Sequence, residues 1–560
     1  MPNRAKSKGK KMFEEAVKKY ERLWIKSYDD GIERVFAHKH QTIKESMRSL
    51  LLTAPQEPLI YFQHQTISRL WADDEACRLA NALSEQGVKP GECVSILVAN
   101  RPEVIYSFMA CYKAGFVAAG FNPRCTAVEI YKNVSGINAR ALIIEQEHLW
   151  KVLRDLESNK YPMLKCVVVL DGDNLDCQDE RLYSYTRFVA FASDAEPAYD
   201  VKPNDNAIIL FTGGTTGVSK GCFQTHGAMA LELEMMHYWV HASLDTPDPK
   251  VLICMPMTHI MGINYGINWQ VINGGSTIIS PSHKPEEIIK AFDTYKPTMW
   301  ATLPTLLHSV GSNNEELAHS AYKDLELVIF GGSSIALRTI KDLEAMTNAQ
   351  FIESYGMSES FGFVTCNPAK SMGKLGSIGL PISNTDVLIV NPKNGLEICE
   401  PGERGEVIFR GPQIIKEYWN NPEETALALR EGWLYSGDIG YMDDQGYFYL
   451  IDRKKDMIVV SGFNVFPKEI DEVLMERPEI FDVCTIGVPD DHSGERPKTY
   501  IVVKDGFELG EEEIRTYCRE RLVAYKIPKY IVFVSEIPKT KANKPDRRLL
   551  RSMNVNKKND

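Results

Sequence analysis

Ala207-Ile208-Ile209-Leu210-Phe211-Thr212-Gly213-Gly214-Thr215-Thr216-Gly217-Val218-Ser219-Lys220-Gly221 is the stretch on which the fold turns. Five apolar residues run straight into glycines, hydroxyls and one lysine, which predicts a buried strand that delivers a loop at its carboxyl end. Glycines let backbone amides crowd round a phosphate with no Cβ in the way, threonines add hydroxyl donors, and a lysine adds positive charge. The spacing is neither that of a P-loop nor that of the GxGxxG dinucleotide turn. Taken alone, the stretch fits a phosphate cradle or a ligand-free turn.

Outward from it, helical and strand patterns alternate. A helical pattern over 67–86 leads through Gly87-Val88-Lys89-Pro90-Gly91 to the apolar run Cys93–Val98, and Pro102–Ala114 ends at Gly115 before Phe116–Ala119. Further short apolar runs stand at Cys166–Leu170, Ala207–Phe211, Val251–Met255 and Leu327–Phe330. Continuously apolar strands between helices predict parallel or mixed sheets covered on both faces. After about residue 385 the runs Val387–Val390, Gly405–Phe409 and Tyr447–Ile451 are spaced by Gly, Asn and Asp turns, which predicts antiparallel sheet. From Asp452 a compact module follows: helix 467–475, strands 483–487 and 499–503, helix 511–522 and strand 530–534.

Composition narrows the classes. The 560 residues, 44% hydrophobic and 25% charged, exclude a small disulfide scaffold, global disorder and a fibrous repeat. A net charge of −11 argues against a nucleic-acid coat. Twelve scattered cysteines without a CxxC pair fit a reducing, cytoplasmic compartment. Met1–Lys11 is basic but has no apolar core of a secretory signal. Met12, Phe13, Ala16, Val17, Tyr20, Leu23 and Trp24 then recur at helical spacing, which fits a docked surface helix or a transit peptide; Glu14 and Glu15 favour the docked helix. Val104–Phe121 is the best membrane candidate, but Lys113 in its middle predicts a buried helix and strand and no transmembrane segment. Lys539, Lys541, Lys544, Arg547, Arg548 and Arg551 make a basic end that is either a solvated tail or an anion site.

Further motifs follow the glycine loop in order: Pro256-Met257-Thr258-His259-Ile260-Met261-Gly262, Gly331-Gly332-Ser333-Ser334, Tyr355-Gly356-Met357-Ser358-Glu359, Trp433-Leu434-Tyr435-Ser436-Gly437-Asp438, Ile451–Asp456 with Ser461–Pro467, and Pro538-Lys539-Thr540-Lys541-Ala542-Asn543-Lys544. Together they resemble the motifs of the adenylate-forming superfamily, which holds acyl- and aryl-CoA synthetases, firefly luciferase and the adenylation domains of peptide synthetases. The likeness spans about residues 50–552. Three positions depart from the family pattern: Gly213 stands for serine, Ser219 for proline and Asn543 for glycine.

The resemblance implies an α/β fold with a large N-terminal lobe (1–451) of mixed sheets flanked by helices plus a distorted β-barrel, and a small mobile α+β C-terminal domain (452–560). It implies an AMP-forming acyl-CoA synthetase that uses ATP, Mg²⁺ and coenzyme A on a small carboxylic acid. No nucleic acid is implied. Thr212, Gly213, Gly214, Thr215, Thr216, Gly217, Lys220, Gly332, Ser333, Ser334, Tyr355, Gly356, Ser358, Asp438 and Arg453 would bind ATP or AMP. Glu359 would hold the metal, since a hard cation wants carboxylate oxygen. Lys544 would be the principal catalytic residue, with Glu359, Thr215 and His259 beside it. Trp239, His259, Met261, Gly262, Phe330, Gly331 and Met357 would wall the acyl pocket. Ser461, Gly462 and Phe463 would meet coenzyme A, and Asp452 would be the hinge. Lys454, Lys455 and Lys526 fit coenzyme A phosphates or ordinary surface lysines. The bulky Trp and Met side chains favour a medium-chain, alicyclic or aromatic acid. The alternatives are a stand-alone adenylating enzyme serving a separate carrier protein and a catalytically weak nucleotide- or acyl-AMP-binding protein.

Overall fold

A computed structural model describes residues 2–37, 39–173, 179–211, 220–241, 244–246, 248–311, 314–332, 335, 337–370, 373–461, 463–490, 492–540 and 545–556. Among them four sheets form. In the seven-stranded sheet the order is Leu182–Ser184, Cys166–Leu170, Ala141–Glu145, Cys93–Leu97, Val117–Gly120, Asn206–Phe211, Gly221–Thr225, parallel except for the last hairpin. Val94 and Ile96 face one hydrophobic cluster and Cys93 and Leu97 another, so both faces are covered, as continuous apolar runs require. The nine-stranded sheet carries parallel strands Ser276–Ile279, Lys250–Ile253, Met299–Thr302, Leu327–Gly331 and Gln350–Tyr355 at its centre.

The expected distorted barrel is a five-stranded antiparallel half-barrel: Asp386–Val390, Gly405–Arg410, Trp433–Met442, Leu429–Arg430 and Phe448–Arg453. The helix Pro2–Lys26 docks on it. Phe13 meets Trp433 edge-on at 5.5 Å, and Trp24, fully buried, donates its indole N–H to Met442 Sδ at 3.5 Å. A fourth sheet contains Ile458–Val460, Phe463–Val465, Ile480–Asp490, Gly494–Val503 and Tyr530–Phe533 and packs with helices Pro467–Met475 and Glu511–Arg519. The two expected strands 483–487 and 499–503 belong to one long hairpin, Ile480–Asp490 with Gly494–Val503, the second being the end of its strand. Ile439, Ile451 and Phe466 form the small apolar joint between half-barrel and module.

Lys113 explains the membrane-like stretch. It lies in helix Pro102–Ala114, buried, with its ammonium 2.8 Å from Asp73 and paired with Glu196. Cys77 completes a cluster of metal-ligand type there, but the lysine already supplies the cation. None of the described cysteines is in a disulfide. No described helix is long and apolar enough to cross a membrane.

Two histidines of helix His226–Val240 give the fold an acid-side weakness. Burial lowers His226 and His237 to about 4, and neither ring nitrogen of His226 has a hydrogen-bond partner. Unfolded histidine titrates near about 6.5, so below that pH the unfolded chain binds protons that the folded chain refuses. Stability is full above that pH and falls as pH drops towards 4, by on the order of 3 kcal/mol for His226 alone. A pH series of apparent Tm should therefore be flatter for His226→Phe than for the wild type; parallel curves would refute the assignment.

Candidate functional site

Two buried carboxylates organise the centre. Strands Trp433–Met442 and Phe448–Arg453 pair antiparallel with Asp438 directly opposite Arg453. Arg453 Nε reaches Asp438 Oδ1 at 2.6 Å, and the Tyr355 hydroxyl donates to Asp438 Oδ2 at 2.6 Å. Ser436 Oγ accepts from the Asp438 amide at 3.0 Å and donates to the Val407 carbonyl at 2.6 Å, which fixes the turn at this bend in the strand. Asp438 is 4% exposed while the Arg453 side chain is 44% exposed, so the pair is buried at one end and open at the other. Burial, then the Asp438 carboxylate, pushes the Tyr355 hydroxyl well up. Asp438 holds the Arg453 guanidinium charged.

Glu359 is the second carboxylate, 6% exposed in the 3₁₀ turn Ser358–Ser360. Its Oε1 accepts from the Tyr418 hydroxyl at 2.7 Å, and its carbonyl accepts from the Ile415 amide at 2.9 Å. Lys220 Nζ lies 5.0 Å above the Tyr418 ring and bonds Glu424 at 2.6 Å. Burial, then Glu359, pushes the Tyr418 hydroxyl up. The Glu359 charge also reaches Arg453, so the two clusters belong to one electrostatic unit.

Next to Tyr355 the strand Leu327–Gly331 ends, with Gly331 opposite Ser354. A Cβ on Gly331 would lie 2.3 Å from the Ser354 carbonyl oxygen, and Gly332 has φ +85°. The adjacent strands therefore approach as no side chain would permit. Gly356 and Ser358 follow directly on strand Gln350–Tyr355.

The expected acyl walls divide. His259 caps helix Ile260–Ile263, its Nδ1 accepting from the Met261 amide at 3.4 Å, and Met261 and Trp239 share one apolar cluster. Gly262 lies against the Pro256 carbonyl. Trp239 donates its indole N–H to Ser383 Oγ at 3.1 Å and packs edge-on against Tyr28. Met357 packs on the half-barrel cluster instead. Phe330 stands apart from Trp239 and Met261: with Val328 it belongs to the cluster of Trp300, Leu307 and Ile340, whereas Leu327 and Ile329 belong to the cluster of Trp239 and Met261.

In the C-terminal module, Asp452 accepts from the amides of Arg453 at 2.7 Å and Lys468 at 2.8 Å, with Arg547 at 3.6 Å. Burial pushes its carboxyl up and Arg547 opposes this. Ser461 has φ +49°, and exposed Phe463 stacks on Tyr525 at 4.7 Å. Lys454 pairs with Glu406 at 2.8 Å and Lys526 with Glu469 at 2.6 Å; burial lowers Lys455. Thr212, Gly213, Gly214, Thr215, Thr216, Gly217, Ser333, Ser334, Gly462 and Lys544 lie outside the described residues. Tyr418, Glu424, Tyr525 and Arg547 were not singled out as site residues from the sequence. Only the basic run at the chain end signalled Arg547.

A family model described as AMP-binding enzyme matches residues 52–419, and one described as AMP-binding enzyme C-terminal domain matches residues 469–544. The chain belongs to the AMP-binding enzyme family, within the adenylate-forming superfamily. It is 30% identical to a long-chain-fatty-acid–CoA ligase of Bacillus subtilis (strain 168), over 94% of this chain and 97% of that one. It is also 30% identical to a feruloyl-CoA synthase of Amycolatopsis sp, over 83% of this chain and 90% of that one. Among solved structures it is similar to ATP-bound MatB from Rhodopseudomonas palustris, with TM-score 0.83 and 25% identity over 92% of this chain and 99% of that one.

Proposed function

We propose that the chain is an AMP-forming carboxylic acid–CoA ligase. It joins an acid to AMP with loss of pyrophosphate and then passes the acyl group to the thiol of coenzyme A. The observation that carries this reading is the pair of linked clusters, Tyr355–Asp438–Arg453 and Lys220–Tyr418–Glu359. Asp438 keeps lone pairs free beside its two present partners, enough to accept ribose hydroxyls. Arg453 presents its open end to ribose or phosphate oxygens. Glu359 has one oxygen engaged by Tyr418 and suits a hard cation with the other, so it would hold Mg²⁺, which supplies charge neutralisation for the ATP phosphates.

Lys220 and the 212–217 loop then take the phosphates, with Thr215 a catalytic member of that loop. Gly332, Ser333, Ser334, Gly356 and Ser358 border the adenine. His259, Met261, Gly262, Trp239, Gly331 and Met357 border the acid. Residues 1–451 act as the ATP and acyl lobe and 452–560 as a mobile cap that turns about Asp452, bringing Lys544 for the first step and Ser461, Gly462 and Phe463 for the second. A medium-chain, alicyclic or aromatic acid is favoured. The thioester and the phosphoanhydride are close enough in energy for the reaction to run either way, and the reduced thiols fit a cytoplasmic enzyme.

The test is AMP release with a broad panel of acids, with and without coenzyme A. Coenzyme-A-dependent AMP is the expected result. Hydroxamate trapping without thioester would mark an adenylating enzyme that serves a carrier protein, and no AMP with any acid would leave only a nucleotide-binding protein.

A further inference from the structure

Helix His226–Val240 and the segment that follows His259 enclose polar groups to which the proposed reaction assigns no role. Glu232 lies in the middle of the helix at 1% exposure, and its Oε1 has no hydrogen-bond partner. Gln270, also 1% exposed, has neither amide atom partnered. A buried polar group left without a partner costs on the order of 1–3 kcal/mol, so two on packed helices ask for a reason.

They do lie on facing elements. The His237 ring stands 5.4 Å from Trp269, and Asn273 Nδ2 donates to the Leu233 carbonyl at 3.2 Å. The helices His226–Val240 and Trp269–Asn273 therefore run antiparallel, and Gln270 falls between those two crossing points, a turn from Glu232. Tyr265 joins them to the site. Its hydroxyl is pushed up by burial and by the nearby Cys366 and Glu232, and is opposed by Ser354, the residue paired with Gly331 across the sheet. Tyr265 thus stands near Glu232 on one side and near Ser354, beside the glycine turn, on the other, with its hydroxyl unpartnered.

One run of neighbouring polar groups is satisfied. Tyr112 donates to Asn268 at 3.1 Å, Asn268 to Asn264 at 3.2 Å, and Asn264 to the Phe361 carbonyl at 2.6 Å. The unmet capacity gathers around it: besides Glu232 and Gln270, the Tyr265 hydroxyl, Trp269 Nε1 and His237 Nδ1 have no hydrogen-bond partner. It also borders the π-helical turn Asn264–Asn268, a geometry that recurs at functional sites.

We propose that Glu232 and Gln270, with Tyr265, bind a neutral oxygen function, hydroxyl or carbonyl, carried at the far end of the acid, and thereby set which acid is activated. This rests on the ligase reading and narrows its substrate class. Burial holds the Glu232 carboxyl well above its ordinary range, so it enters the site as a neutral donor and acceptor. Gln270 likewise offers one donor group and one acceptor. A hydroxyl or carbonyl matches both. A plain hydrocarbon end leaves them unpaired, and an enzyme built to bond such a group rejects the analogue that lacks it.

The experiment compares kcat/KM for matched acids in the full chain: octanoate against 8-hydroxyoctanoate, cyclohexanecarboxylate against its 4-hydroxy form, and cinnamate against 4-hydroxycinnamate. The wild type should favour the hydroxylated member of at least one pair by about 10²-fold or more. Glu232→Leu should reverse that preference while raising Tm in the absence of acid, because the unpaired carboxyl is gone. Glu232→Gln should keep the preference. Should Glu232→Leu fail to fold, Gln270→Leu carries the same comparison. An acid ranking that is the same in the wild type and in the leucine variants overturns this inference alone. Absence of AMP with every acid overturns the ligase reading and this inference with it.

Discussion

Asp438→Ala is expected to lower kcat/KM for ATP by about 10²-fold or more, since each bond to a charged acceptor contributes about 1.5–3 kcal/mol and two ribose hydroxyls lose theirs. The same change strands Arg453 and the Tyr355 hydroxyl, whose present partners are the two oxygens of that carboxylate at 2.6 Å each. A drop in Tm is therefore expected as well. Because the Arg453 side chain is 44% exposed, water replaces part of the lost partner, and the loss should fall below the about 3–5 kcal/mol typical of a fully buried pair. Two further variants separate binding from folding. Asp438→Asn keeps one acceptor oxygen and should fall between wild type and alanine in ATP use. The double variant Asp438→Ala with Arg453→Met removes the stranded charge and should recover Tm without recovering ATP affinity. If it recovers both, Asp438 serves the fold and not the nucleotide.

The distances just used could not have been read from the sequence, although much else could. Helix Pro102–Ala114 was legible to the residue because proline stands at its start and Gly115, at φ +71°, stops it. The run Cys166–Leu170 was equally clear, since continuous apolar residues between polar turns admit little else. The same property hid the facing of Phe330. Strand Leu327–Gly331 is apolar on both sides, so no alternation tells which side chain meets the pocket; in the structure Ile329 goes one way and Phe330 the other. The long hairpin of the C-terminal module was legible only away from its turn, because Glu495, Arg496 and Lys498 dilute the apolar signal of a half-exposed strand. Tyr418 stands 59 positions from the Glu359 it bonds, and no local pattern encodes such a pair. Motif order thus marked the residues to which the resemblance assigns ligand roles, while the side chains bonded to them emerge only from packing.

Lys544→Ala tests the division of labour between the two lobes. Attack of a carboxylate on the α-phosphorus brings two anions together and builds charge on the phosphoryl oxygens, and a mobile ammonium is the group suited to meet that charge. The flanks of this lysine are fixed: the Asp546 amide donates to the Pro538 carbonyl at 2.7 Å, Lys539 pairs with Asp482 at 3.3 Å, and Lys539 and Pro545 form a bridge. Acyl-adenylate formation should fall by about 10²–10³-fold in the alanine variant, the usual loss when one charge-stabilising donor is removed. Thioester formation from synthetic acyl-adenylate and coenzyme A should stay within a factor of about three, since on the proposed division of labour the second step uses residues 461–463 instead. Lys541→Ala is the control and should leave both half-reactions near wild type. Equal loss in both half-reactions would make Lys544 a structural residue, and loss with Lys541→Ala alone would move the role three positions along the chain, where the asparagine at 543 in place of glycine would have redirected it.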